Sequence, residues 1–200
     1  MTVDHDQRRQ KIAEVTAGVI SREGLEAATI RRIAAEFAGP TKIITYYFSD
    51  KQELLRFTWQ YLAHQYFDAV SACGTGNLVD SLTAMAASDD QSILRWRVYA
   101  AFVDRAARDP EFATIQRTHQ EVALRLIGQM VLAVAPTCNN IERVSLLLNA
   151  MVQGISLQVL VDRERWAGGR VRSALSDFIE IILDRGSGEP QIDYLRIETS

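Results

Sequence analysis

Residues 28–55 read ATIRRIAAEFAGPTKIITYYFSDKQELL. Thr29 is an N-cap type, and Ile30, Ile33, Ala34 and Phe37 follow it at the spacing of one helical face, which predicts a short helix to about Phe37. Ala38-Gly39-Pro40 then breaks the chain. A second short helix, about Thr41 to Phe48, begins after the proline. Asp50, with Glu53 three residues on, reads as a capping box that opens a long helix to about Ala72. Short helix, glycine-containing turn and short helix is the layout of a helix-turn-helix unit. The second short helix of such a unit fits the major groove of DNA, with its N-terminal residues at the base edges.

The residues there suit that use. Lys42 can donate to guanine acceptors. Thr41 and Thr45 can donate, accept, or press a methyl on thymine, and Ile43 lies between them. Tyr46 and Tyr47 offer rigid hydroxyls for phosphate, one of the pair being expected to pack on the first helix. Lys51 sits where a helix N-terminus and its own charge favour phosphate together. Arg31 and Arg32 project from the preceding helix, where a merely solvated face is the plain alternative.

Helical signals continue in both directions. Ile12, Val15 and Val19 predict a first helix from about Asp6 to Glu23, closed by Gly24. Gly74-Thr75-Gly76-Asn77 closes the fourth helix, and a fifth is short, about Val79 to Ala87. The sixth, from Asp89-Asp90, carries the stripe Ile93, Trp96, Ala100, Val103 and Ala107. The seventh follows Asp109-Pro110, with proline at the first helical position, and its stripe is Phe112, Ile115, His119, Val122, Leu126 and Met130. Asn139 and Glu142 predict an eighth helix to about Arg163. Gly168-Gly169 precedes a ninth, about Arg170 to Arg185. The expectation is an all-α chain of about nine helices: a DNA-binding unit over 1–50, a ligand-binding and dimerisation unit over 51–186, and a polar tail over 187–200.

The 200 residues carry a net charge of −3, with 48% hydrophobic and 24% charged residues. That composition excludes a disordered or wholly basic chain. The average hides a skew. Residues 1–56 hold 9 Lys/Arg against 8 Asp/Glu, and Lys11, Lys42 and Lys51 are the only lysines. The N-terminus has no apolar run typical of a secretory signal. Val144–Val161, the most apolar stretch, is interrupted by Asn149, Gln153, Ser156 and Gln158, so a buried helix is expected and no membrane. Cys73 and Cys138 have no metal-ligand spacing and are expected to be free thiols in a cytoplasmic protein. No nucleophile–base set, paired carboxylates, P-loop, GxGxxG or Cys/His cluster is present, so no catalysis, metal or cofactor is expected. The rival reading is a helical scaffold or ligand-binding bundle without specific DNA recognition, which would not need a basic short helix after the turn.

Residues 28–55 resemble the signature of the tetracycline-repressor (TetR) family. Ile33-Ala34, Tyr46-Tyr47-Phe48, Lys51 and Glu53-Leu54-Leu55 fall in register without gaps. The usual turn glycine and the apolar residue after it fall at Ala38 and Gly39, Pro40 replaces a common serine, and Thr45 replaces the usual recognition-helix tyrosine. The resemblance implies a base-facing set of Arg31, Thr41, Lys42, Ile43 and Thr45, and a phosphate set of Thr29, Tyr46, Tyr47 and Lys51. It also implies a homodimer on a palindromic operator, repression, and release by a small-molecule effector acting through the fourth helix.

Farther on, Phe102 through Phe112 and Asn149 through Gln158 resemble the subgroup around the choline-responsive betaine-pathway repressor. Trp59, Trp96, Tyr99, Phe102, His119 and Met130, with Gln116 and Gln153, are the candidate pocket residues. Aromatics at helical spacing are more often core, although an aromatic cage would suit a quaternary ammonium. Leu148, Met151, Val152, Ile155 and Val159, with Leu175, Phe178, Ile179 and Ile182, are the candidate dimer seam, half of which is expected to be the chain's own core.

Overall fold

The structure, a computed structural model, describes residues 2–72 and 77–186. Residues 73–76, Cys73 among them, where the fourth helix was expected to close, and the expected tail over 187–200 lie outside the described residues. Nine helices and no strand occur among the described residues. They are α1 (Thr2–Glu23), α2 (Ile30–Glu36), α3 (Thr41–Tyr47), α4 (Lys51–Ala72), α5 (Leu78–Met85), α6 (Asp90–Ala106), α7 (Pro110–Val134), α8 (Ile141–Val161) and α9 (Arg170–Gly186).

Most helix starts follow from their caps. Thr29 Oγ1 accepts from the Arg32 N–H at 3.1 Å, and Asp50 Oδ1 accepts from the Glu53 N–H at 2.8 Å. Glu53 answers one residue earlier than a capping box requires, accepting from the Ser49 N–H at 2.7 Å and its hydroxyl at 2.9 Å. Asp89 and Ser92 form a complete capping box at α6, and Asp109 with Pro110 starts α7. The expected box at Asn139 and Glu142 is absent. Asn140 is the N-cap there, with no side-chain cap bond, because α8 starts at Ile141 and Glu142 falls one place too early in its first turn.

Two apolar cores hold the helices. One joins α5, α8 and α9 to parts of α4, α6 and α7 around Leu82, Ile127, Leu148 and Leu175. The other joins α1–α4 to facing parts of α6 and α7 around Ile12, Ile33, Ile44, Leu54, Phe102 and Phe112. Packing is therefore continuous across residue 50.

Two sequence expectations are corrected by this packing, and the seam's expected core half is identified. On α6 the buried positions after Trp96 are Val98, Phe102 and Ala106 instead of Ala100, Val103 and Ala107, because α6 is gripped by both cores. On α7, Ile127 and Val131 are buried where Leu126 was expected. Most of the candidate dimer seam lies inside the chain: Leu148, Val152, Ile155, Val159, Leu175 and Ile179 are at most 7% exposed and belong to the first core. Helix α8 is long and apolar enough to cross a bilayer, yet its buried face also carries Ser145, Asn149 and Ser156. Ser156 Oγ donates to the Val152 carbonyl and accepts from the Ala87 N–H at 3.0 Å, tying α8 to the end of α5.

Candidate nucleic-acid interface and cavity

The turn between α2 and α3 sets the exposed short helix. Ala38 adopts a left-handed φ of 55°. That conformation costs an L-residue with a Cβ about 1 kcal/mol or more. It lets the Gly39 N–H reach the Ala34 carbonyl at 3.0 Å. A Cβ on Gly39 would lie 2.8 Å from Ile43 Cδ1, so glycine there leaves room for the first turn of α3. Pro40 caps that turn with a φ of −69°, within the range its ring fixes. Ile44 and Phe48 anchor the underside of α3 and are almost fully buried.

That anchoring turns Thr41, Lys42, Thr45 and Tyr46 outward. Tyr46 is 73% exposed, an unusual position for a large aromatic ring. Tyr47 is half-buried, its ring 4.8 Å from that of His5 on α1, and is the tyrosine that packs. Ile43 is half-buried against the turn. Thr45 Oγ1 leans back toward the Thr41 and Lys42 carbonyls at 3.4 Å. Lys51 Nζ lies 3.4 Å from the Glu26 carbonyl. Arg31 is exposed.

Arg32 is placed differently from its sequence expectation. Its guanidinium donates to Glu23 at 2.6 Å and to Glu36 at 2.8 Å. These bonds raise the arginine pKa and hold both carboxyls below their usual range. Arg32 therefore braces α2 against α1, its charge balanced by two carboxylates. Glu36 also accepts from Arg22 of α1 at 2.6 Å. A second brace was not anticipated. Arg9 pairs with Glu53 at 2.7 Å, joining α1 to the start of α4. Its guanidinium also lies 4.6 Å from the Phe48 ring centre and 4.5 Å from that of Phe57, within range of cation–π attraction. No short-range spacing links these residues.

A cavity of about 360 Å³ lies between α1, α4, α5, α6, α7 and α8. Its size suits a small organic molecule. Of the sequence candidates, Trp59, Trp96, Tyr99, Gln116, His119 and Gln153 line it. Phe102 and Met130 do not. Both are at most 2% exposed and point into the two cores, Phe102 between Trp59 and Phe112. Tyr66 and Phe67 also line the cavity. With Trp59, Leu62 and Ala63 they repeat at i, i+3, i+4, i+7 and i+8 on α4, a stripe that the sequence displays. Ala17, Gly18, Ser21 and Arg22 bring α1 itself into the wall.

The cavity's polar groups are few and mostly neutral. The Met85 carbonyl ends α5 and accepts from Tyr66 Oη and Trp96 Nε1, both at 3.1 Å. Gln116 Nε2 donates to Tyr99 Oη at 3.0 Å. Burial pushes the Tyr66 and Tyr99 hydroxyls up, so both stay protonated. His119 lies beside Trp59 and is pushed down to about 4, chiefly by burial and further by His64, so it is neutral at physiological pH. Trp59 Nε1, Gln116 Oε1 and His119 Nδ1 are buried with no hydrogen-bond partner. Among the described residues no group of three His, Cys, Asp or Glu side chains can hold a metal.

Residues 12–56 match the bacterial regulatory proteins of the tetR family, and residues 76–184 match the C-terminal region of BetI-type transcriptional repressors. The HTH-type transcriptional regulator PksA of Bacillus subtilis (strain 168) is 24% identical over 201 residues, covering 94% of this chain and 96% of its own length. A transcriptional regulator from Rhodococcus sp. Rha1 has the same fold, with a TM-score of 0.82 at 22% identity over 91% of this chain and 99% of that one. A regulator from Saccharomonospora viridis, solved in complex with choline, gives 0.79 at 19% identity over 88% and 96%. The chain belongs to the tetR family of bacterial regulatory proteins: it is a DNA-binding transcriptional regulator, not an enzyme, with a C-terminal region of the BetI type.

Proposed function

We propose that the chain is a homodimeric repressor of the cytoplasm that holds a palindromic operator and releases it when a small molecule fills the cavity. The observation that carries this reading is the outward row Thr41, Lys42, Thr45 and Tyr46 on a helix anchored from below by Ile44 and Phe48. Thr41, Lys42 and Thr45, with Arg31 and Ile43 beside them, read bases, and Tyr46, Tyr47 and Lys51 meet phosphate. Thr29 caps α2, and the hydrogen on its hydroxyl remains able to reach a phosphate. Residues 1–50 act as the reading unit and 51–186 as the sensing and pairing unit.

Dimerisation uses the outer face of α8 and α9. Leu146, Ala150, Gly154, Leu157 and Val161 recur at helical spacing on the exposed side of α8, and Ile181 is exposed on α9. Half-buried Met151, Phe178 and Ile182 flank them. Two such faces across a two-fold axis form a four-helix interface. The cavity communicates with the reading unit through two helices. Helix α4 runs from Lys51 beside the reading helix to Tyr66 and Phe67 in the wall, and α1 supplies Arg22, which grips Glu36 of α2.

A Lys42→Ala, Tyr46→Phe double variant tests the reading. Both side chains are exposed, so folding is kept, as circular dichroism checks. Specific operator affinity is expected to fall at least about tenfold, since each good base contact is worth about 1–3 kcal/mol. Unchanged affinity in fluorescence anisotropy contradicts the assignment.

A further inference from the structure

The cavity wall is aromatic, yet its charge has one sign. Arg22 and Arg95 border it, and among the described residues no aspartate or glutamate does. Arg22 is engaged by Glu36 and folded back along α1, where a Cβ on Gly18 would sit 3.2 Å from its guanidinium. Arg95 is different. Its guanidinium lies over the Tyr66 ring, 5.1 Å from the centre. Among the described residues its guanidinium makes one hydrogen bond, to the Ala84 carbonyl at 3.5 Å, the outer limit of such a bond. It makes no salt bridge among the described residues, although Asp89 feels its charge. A guanidinium resting over an aromatic face, with most of its donors unused among the described residues, is placed to receive a carboxylate in bidentate fashion.

The interior adds a second requirement. Trp59 is 4% exposed, and its N–H has no partner. Gln116 and His119 each present a buried polar atom without one. An aromatic cage attracts cations through its ring faces. Here two arginines and no carboxylate oppose a cation, while flat rings remain suited to stacking on another ring.

Resting on the effector reading of this cavity, we propose that its ligand is an aromatic carboxylic acid. The carboxylate is held by Arg95 at the wall, and the ring lies among Trp59, Tyr66, Trp96 and Tyr99. A quaternary ammonium of the kind seen in the choline-bound regulator is disfavoured.

Calorimetry on the full-length protein with three matched probes tests this: 4-phenylbutyrate, 4-phenylbutyramide and trimethyl(3-phenylpropyl)ammonium. The carboxylate is expected to bind about tenfold or more tightly than the amide, the scale of a charge-assisted hydrogen bond, and the ammonium less tightly than either. Arg95→Gln should bring the ratio of carboxylate to amide affinity close to one. Arg95→Lys, which keeps the charge and loses the fork, should fall between, and it serves if the glutamine variant does not fold. Preference for the ammonium, an unchanged ratio in the variants, or no binding of any probe at millimolar concentration overturns the proposal. Operator binding is read separately without ligand. A protein that holds an operator and prefers the ammonium keeps the regulator reading and loses this one. A protein that binds phenylbutyrate and selects no operator does the reverse.

Discussion

Ala38 and His119 are single residues whose surroundings work against them. Ala38 holds a backbone conformation that glycine adopts without steric penalty. Ala38→Gly is expected to stabilise the protein by about 1 kcal/mol, raising Tm by about 2–4 °C at this chain length. A melting curve that does not move, or moves down, contradicts the strain at this turn. His119 is held neutral by burial, at about 4 against the ordinary 6.5. The unfolded chain therefore takes up this proton at higher pH than the folded one. The contribution is fully present above about pH 6.5 and is lost as pH falls toward about 4. His119→Gln should flatten the decline of the urea midpoint between those two values. Equal slopes for wild type and variant would count against the buried imidazole.

At the scale of elements, what the sequence disclosed depended on how local the cause was. Caps at Thr29, Asp50, Asp89 and Asp109 act over three residues or fewer, and the structure keeps all four. The reading helix was legible for the same reason: Pro40 starts it, and Ile44 and Phe48 show which side is held. The pairing of Arg32 was overlooked: its i,i+4 partner Glu36 lies on the same helix at a spacing the sequence displays, while Glu23 lies on α1, where no local spacing points to it. For the α8 and α9 seam, the sequence left open which half is the chain's own core. A helix apolar on two faces has no periodic signal that tells inside from outside. Leu148, Val152 and Ile155 belong to the core half, and the packing leaves Leu146, Ala150 and Leu157, which the seam did not include, exposed. Within the cavity, six of the eight sequence candidates fall on the wall, and the two that do not, Phe102 and Met130, are taken up by the two apolar cores. Leu157→Arg places a charge in the proposed dimer face without entering the core. Light scattering should then report a monomer with unchanged helix content. A variant that stays dimeric would contradict this face as the interface.

For the whole molecule, a net charge of −3 and DNA binding are compatible because the charge that matters is local. Arg31, Lys42 and Lys51 lie on or beside the reading face, while Arg32 is neutralised by its two glutamates. On the proposed assignment the phosphate contacts are few, so affinity falls with salt by the slope that those few charges set, and specificity would rest on the short row on α3. Paired through α8 and α9, two such rows would lie about one DNA turn or somewhat more apart, roughly 34–36 Å at the least. The most direct measurement is selection of bound sequences from random double-stranded DNA by the protein, run in parallel with the Lys42→Ala, Tyr46→Phe variant. The account predicts enrichment of an inverted repeat by the wild type and its loss or degeneration in the variant. No enrichment by the wild type, or the same motif recovered by both proteins, would contradict it.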